Sequence, residues 1–214
     1  DILVSPKGLE SALESLVAVG AKPGSSTMHP HEHSLAFRGV HLDIHNAPMR
    51  VGRLRFNPSA EWLSRSQTRG PFPYLSEHDE LVLSLVHPAV TEYLGRTIRM
   101  LDILLQVRRN CQPIDWERVA EDVTRLGLAN AAYVTGIKVN QVFPSQVKPV
   151  VPHSFLNGLK IGGMRRHYWR LWVNQGPGQL YKHRPNLARL LFSIWLNDTP
   201  RDWTRAILNK HASA

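Results

Sequence analysis

Two carboxylates carry the first suggestion of chemistry. Asp1 stands directly before the apolar run Ile2-Leu3-Val4, and Asp43 stands inside Val40-His41-Leu42-Asp43-Ile44-His45. Ser5-Pro6 stops the first run, which therefore reads as the end of a buried strand. The second alternates with a period of two, so His41, Asp43 and His45 share one face and Val40, Leu42 and Ile44 the other. Carboxylates on neighbouring strands, facing the same way, suit a divalent cation. Mg²⁺ takes hard oxygen ligands and keeps several waters, so one or two carboxylates plus the phosphates of a nucleotide complete its shell. A pair of such ions would activate an attacking hydroxyl and neutralise a leaving pyrophosphate. Asp1 and Asp43 are accordingly the candidate catalytic and metal-binding residues. His45, on the face of Asp43, is the candidate to orient it or to contact phosphate. The bland alternative is a terminal residue and a solvated strand residue.

The elements that must position these groups follow from local pattern. Ser5 as cap and Pro6 at the first helical position open a helix with Leu9, Ala12, Leu13, Leu16 and Val17 on its apolar face, and Gly20 ends it. Leu35 and Phe37 precede Gly39, and Val40, Leu42 and Ile44 follow it, which predicts two adjacent strands. Val51, Leu54 and Phe56 extend the sheet in this reading. From Ser76 the period becomes helical: a capping-box pattern with Asp79, a helix through Leu81, Leu85 and Val86 interrupted at Pro88, and a second from about Thr91 to Arg109. Asp115 caps a helix whose Val119, Val123 and Leu126 face inward, Gly127 terminates it, and another runs to about Val142. The prolines and glycines of 144–163 predict a linker or long loop. Three short helices, about 164–173, 186–196 and 200–210, close the chain, the last with Thr199 as cap. The expected fold is α+β: a small mixed sheet plus an all-helical C-terminal half.

In their order and spacing, Asp1-Ile-Leu-Val-Ser-Pro6, the helix ending near Gly20, and His41-Leu-Asp-Ile-His45 resemble a bacterial nucleotidyltransferase family of the polymerase-β-like superfamily. Leu83-Ser-Leu-Val-His87, Arg99-Met-Leu-Asp102 and Ile114-Asp115-Trp116 are similar to its helical half. The resemblance covers roughly residues 1–143. It implies that Asp1 matches the second acidic residue of the family's paired motif and Asp43 the third, with Mg²⁺ as cofactor and an NTP as substrate. The family's Gly-Ser phosphate turn and first Asp would lie upstream of Asp1, so the chain reads as N-terminally incomplete. The implied organisation is a partial nucleotidyltransferase-like α/β domain (1–75), a helical domain (76–143) and a basic helical extension (144–214).

Charge is distributed unevenly over the 214 residues. The net charge is +9, and residues 144–214 carry eleven Lys/Arg against two Asp/Glu. Such asymmetry points to an anionic partner. Met164-Arg-Arg-His-Tyr-Trp-Arg-Leu-Trp172 interleaves cations with aromatics, so Arg165, Arg166, Trp169 and Arg170 are the candidate nucleic-acid contacts, for phosphate pairing and base stacking. The same helix suits an anionic membrane surface, or a core face of Trp169, Trp172 and Val173 with solvated arginines. Arg99 is a candidate for neutralising a triphosphate; its plain alternative is an ion pair with Asp102. Asp115 and Trp116 are accounted for by a helix cap and a docked aromatic. His29, His31 and His33 with His41 and His45 form a histidine-rich set that a transition metal could use.

Composition excludes other classes. Hydrophobic residues make up 43% and charged residues 20%, a globular balance, and no apolar run approaches a membrane span. One cysteine, Cys111, excludes a disulfide framework and a Cys-based zinc site and fits a reducing cytoplasm. No secretory leader is visible. The expected function is Mg²⁺-dependent transfer of an NMP from an NTP to an acceptor hydroxyl, RNA being one anionic acceptor. The alternative is a catalytically silent module binding nucleic acid or protein through its basic helices. The sequence leaves oligomeric state open.

Overall fold

A computed structural model describes the chain apart from residues 1, 25–30, 51, 70–71, 110–111, 146–147, 176–181 and 212–214. It resolves into two compact units, residues 1–76 with 205–214, and residues 77–204. The fold is α+β, with all described strands in the first unit.

In that unit β1 (Ile2–Leu3), β2 (Lys22–Pro23), β3 (Glu32–Phe37) and β4 (Val40–His45) form a sheet in the order β1-β4-β3-β2. β1 runs parallel to β4, with Ile2 opposite Ile44 and Leu3 opposite His45; the other pairings are antiparallel. The β3–β4 hairpin turns through Arg38 and Gly39, both at positive φ (49° and 79°). Positive φ at both loop positions is what the tightest hairpin turn needs to match strand twist. Before β2, Ser5 caps a short 3-10 turn that leads into α1 (Leu9–Ala18). Val4, Leu9, Leu13, Leu16, Phe37 and Leu42 pack against buried Ala21, Leu35 and Ile44, so α1 covers one face of the sheet. β1 itself is not buried as the apolar run suggested: it is a sheet edge, and Ile2 is 43% exposed.

Beyond β4 the strand expected over Val51–Phe56 is absent from the described residues. Gly52 takes φ 82° and the Arg53 amide turns back to the Arg50 carbonyl at 3.1 Å, which breaks the alternation a strand requires. Instead α2 (Ser59–Ser64) buries Trp62, and a ribbon of β5 (Gln67–Arg69) and β6 (Phe72–Tyr74) follows.

The second unit is helical: α3 (Glu77–Glu92), α4 (Thr97–Arg109), α5 (Trp116–Arg125), α6 (Ala129–Val142), α7 (His153–Gly158), α8 (Gly163–Gln175) and α9 (Pro185–Leu196), with α10 (Pro200–His211) starting in it. α6 is its axis, for Ala129 through Gly136 are all buried. Pro88 does not interrupt the helix as expected. Burial of Val86, Pro88, Ala89 and Val90 holds α3 in register across the missing amide. The break comes at Tyr93 and Leu94, both at positive φ, where the Leu94 amide returns to the Pro88 carbonyl at 2.9 Å. The segment 144–163 is likewise more than a linker, because Val151, Phe155, Leu156 and Leu159 bury and His153–Gly158 within it form α7. Asp115 caps α5 through the Arg118 amide at 3.0 Å, and Gly127 ends it at φ 79°.

α7 lies close to α6 because Gly136 has no side chain. A Cβ there would meet Leu156 Cδ2 at 2.8 Å and Val151 Cγ1 at 3.1 Å. Gly136→Val is therefore expected to lower stability by about 1–3 kcal/mol, the usual range for overpacking. Gly136→Ala is expected to cost less, since gained helix propensity offsets part of the clash. Chemical denaturation of both variants checks the ranking.

Candidate active site

The face of the sheet opposite α1 carries the polar residues. In the β3–β4 pairing Ser34 lies opposite Asp43 and Glu32 opposite His45. Directly opposed strand residues project to the same side, so Glu32, Ser34, His41, Asp43 and His45 form one polar row.

Asp43 is the centre of this row. Its Oδ1 accepts the Ser34 hydroxyl at 2.6 Å and lies 3.0 Å from His41 Nε2. Its side chain is 24% exposed, and Oδ2 has no partner among the described residues. The Ser34 hydrogen bond holds the carboxyl below its ordinary value of 3.8; partial burial works against this, while His41 and His45 reinforce it. Asp43 is therefore an ionised carboxylate with one oxygen fixed and one presented. Burial pushes the half-buried His45 ring below its usual range, opposed by Glu32 and Asp43, so the neutral imidazole is favoured at neutral pH. The His31 and His45 rings lie 6.4 Å apart. Among the described residues no three His, Cys, Asp or Glu side chains converge on a metal position. His29 and Asp1 lie outside the described residues.

Ser34 escaped the sequence reading, although a signal for it existed. With Arg38-Gly39 as a two-residue loop, counting back from Phe37–Val40 sets Ser34 against Asp43. Ser34→Ala removes the largest cause of the Asp43 shift, so the Asp43 pKa is expected to rise toward 3.8. The sign follows from linkage: a depressed carboxyl stabilises the fold above its unfolded pKa and loses that contribution as pH falls through its folded value. The variant should lack this contribution at neutral pH and show a flatter acid-side stability profile. A carbon-13 NMR titration of the carboxyl group reads the shift directly.

A family described as an uncharacterised nucleotidyltransferase matches residues 1–144. The chain belongs to this family. No curated protein and no solved structure matches it. Nucleotidyl transfer, with a nucleotide as substrate, is thus the general activity of the family in which this Asp43 face occurs.

The other predicted residues of the nucleotidyltransferase sit in its helical unit. Arg99 Nε donates to Glu92 Oε1 at 3.2 Å, and its guanidinium reaches Asp102 at 3.7 Å, so its charge is already paired on two sides. In α8, Trp169 is fully buried, donates Nε1–H to Asn130 Oδ1 at 3.1 Å and meets Phe192 edge-on at 5.0 Å. No ring face is left there for a base, which corrects the stacking role expected of it. Arg165 donates to the Asn197 and Asp198 carbonyls at 2.5 and 2.8 Å. Arg166 donates to the carbonyls of Leu156, Asn157, Leu159 and Ile161 and lies over the Tyr133 ring. Both arginines close helix ends rather than face a partner. Of the four, Arg170 alone is exposed.

Proposed function

We propose that this nucleotidyltransferase moves an NMP from an NTP to an acceptor hydroxyl with release of pyrophosphate, using Mg²⁺ held by Asp43 and Asp1. The observation that supports it is the state of Asp43: ionised, anchored through Oδ1 by Ser34, and offering Oδ2 without a protein partner among the described residues. A single hard oxygen donor with room around it suits Mg²⁺, which retains waters and takes its remaining ligands from phosphates. Asp1 enters this reading as the second ligand because its place directly before Ile2-Leu3-Val4 resembles the family's paired acidic motif. When bound, the ion would neutralise charge on the triphosphate and the departing pyrophosphate. Asp43 fixes the donor oxygen, and the neutral His45 ring beside it can donate a hydrogen bond to a phosphate oxygen.

The acceptor in this reading is anionic. Lys160, Arg170, Lys182, Arg184 and Arg201 are exposed, with no side-chain partner among the described residues, so the surface of the helical unit keeps positive charge after Arg165 and Arg166 are withdrawn from it. RNA fits that surface by phosphate pairing rather than by stacking on Trp169. No helix among the described residues is long and apolar enough to cross a membrane. The test supplies α-³²P-labelled NTPs, Mg²⁺ and an RNA pool, and follows pyrophosphate and labelled RNA. Pyrophosphate release abolished by a chelator and restored by Mg²⁺ supports the reading. Salt-sensitive RNA binding with no turnover of any NTP would instead identify a silent binding module.

A further inference from the structure

The helical unit contains a cavity of about 680 Å³, within the size range of small-molecule sites. It is bounded by the end of α4, the start of α5, the end of α6 and the segment that follows α6. Leu104, Val107, Trp116 and Phe143 among its lining residues supply an apolar floor to an opening that is otherwise partly polar. Two cations also line it, Arg108 and Lys148, and no described lining residue is acidic. Both are exposed, and neither side chain has a partner among the described residues. This differs from Arg99, Arg165 and Arg166, whose guanidinium groups are all engaged inside the protein.

The described parts of the walls are restrained. Pro113, Pro144, Pro149 and Pro152 restrict the backbone around the opening. Asn140 ties the far wall to α6 by a two-way clasp: its Nδ2 donates to the Val151 carbonyl at 2.8 Å, and its Oδ1 accepts the Val151 amide at 2.9 Å. Trp116 is held in place by Phe155, with ring centroids 5.1 Å apart. A cavity that does not have to be ordered on binding costs its ligand less.

The lining selects among ligand classes. Inorganic anions would satisfy the two cations but gain nothing from the floor. A neutral apolar molecule would fill the floor and leave the cations without complement. A nucleic-acid strand is too large for a recess of this volume. We propose that the cavity binds a small organic anion, a carboxylate or phosphate ester on an aromatic or aliphatic body, with the anionic head between Arg108 and Lys148 and the body over Trp116 and Phe143. This inference uses only the helical unit and stands whether or not Asp43 supports nucleotidyl transfer.

The probe is 1-anilinonaphthalene-8-sulfonate, an aromatic body with one fixed negative charge, titrated into the full chain under native conditions. Saturable binding of one dye per chain with a Kd below about 100 μM is expected. Arg108→Glu combined with Lys148→Glu should weaken it at least about tenfold, and Lys148→Ala alone by a few-fold, since each step removes part of the charge complement. These side chains are exposed, and an unchanged circular dichroism spectrum and Tm confirm that the variants fold. Decanoate and phenyl phosphate then compete for the dye, and the stronger competitor tells a fatty carboxylate from an aryl phosphate. Inorganic phosphate at the same concentration should displace none. Absence of saturable binding, wild-type affinity in the double variant, failure of both organic anions to compete, or displacement by phosphate alone would each overturn the proposal.

Discussion

Asp43→Asn is expected to reduce pyrophosphate release from NTP and Mg²⁺ by about 10³-fold while leaving the fold intact. The substitution keeps the shape of the side chain, and its amide oxygen can still accept the Ser34 hydroxyl that now bonds Oδ1 at 2.6 Å. What changes is the other atom: Oδ2, presented without a partner among the described residues, becomes an uncharged NH₂ that cannot bind a cation. Losing roughly 4 kcal/mol of transition-state charge stabilisation corresponds to about three decades in rate. The structural cost should be small, because the side chain is a quarter exposed and packs no core. The decisive comparison pairs turnover with binding of Mn²⁺ as a spectroscopic substitute. Both should fall together in Asp43→Asn, whereas Ser34→Ala should retain Mn²⁺ binding in weakened form. Turnover within about threefold of wild type in Asp43→Asn would remove Asp43 from the chemistry.

The parts of this protein that were legible in its sequence are those in which one local period fixes the answer. Alternation around Arg38-Gly39 gave both strands of the hairpin and the face shared by His41, Asp43 and His45. Gly127 and the capping residues Ser5 and Asp115 mark element ends where the structure has them, and Thr199 caps α10 by exchanging hydrogen bonds with Asp202. The resemblance drawn over residues 1–143 agrees with a family match over 1–144. What sequence did not show is what lies across space. Pro88 looked like a helix breaker because the penalty for its missing amide is local, whereas the burial that offsets it is not. Val51, Leu54 and Phe56 had strand spacing, but Gly52 at positive φ set the backbone.

The α8 segment is the instructive misreading. Its letters describe a cationic, aromatic helix, and both a nucleic-acid surface and an internal brace have that composition. The difference is which acceptors its arginines can reach, and those acceptors are backbone carbonyls at 156–161 and 197–198, which have no signature in a sequence. An arginine fork closing several carbonyls at a helix end satisfies buried acceptors that would otherwise be stranded. Positive charge in residues 144–214 is thus partly architectural, and only the remainder is available to an anionic partner.

The same logic identifies a residue on which the helical unit depends. Asp198 lies far along the chain from α6, yet its carboxylate accepts the Ala129 amide at 2.9 Å, the Asn130 amide at 2.9 Å and Asn130 Nδ2 at 2.8 Å. α6 therefore has no cap in its own sequence and takes one from the loop after α9. Asn130 is itself buried, and its Oδ1 receives the Trp169 indole N–H at 3.1 Å, so its amide cannot rotate to find another acceptor. Asp198→Ala would remove a helix cap, about 0.5–2 kcal/mol, and strand a buried amide donor, about 1–3 kcal/mol. The expected loss is about 3 kcal/mol, or a Tm lower by roughly 6–12 °C for a chain of this size. Asp198→Asn keeps one acceptor oxygen but turns an NH₂ toward the donors, and it should fall between wild type and Asp198→Ala. Because Asp198 and Trp169 meet through Asn130, a double-mutant cycle of Asp198→Ala with Trp169→Phe should give a coupling of at least about 0.5 kcal/mol in urea denaturation. Strict additivity would mean that Asn130 does not transmit the cap to the buried indole, and the two hydrogen bonds would then be independent contributions to stability.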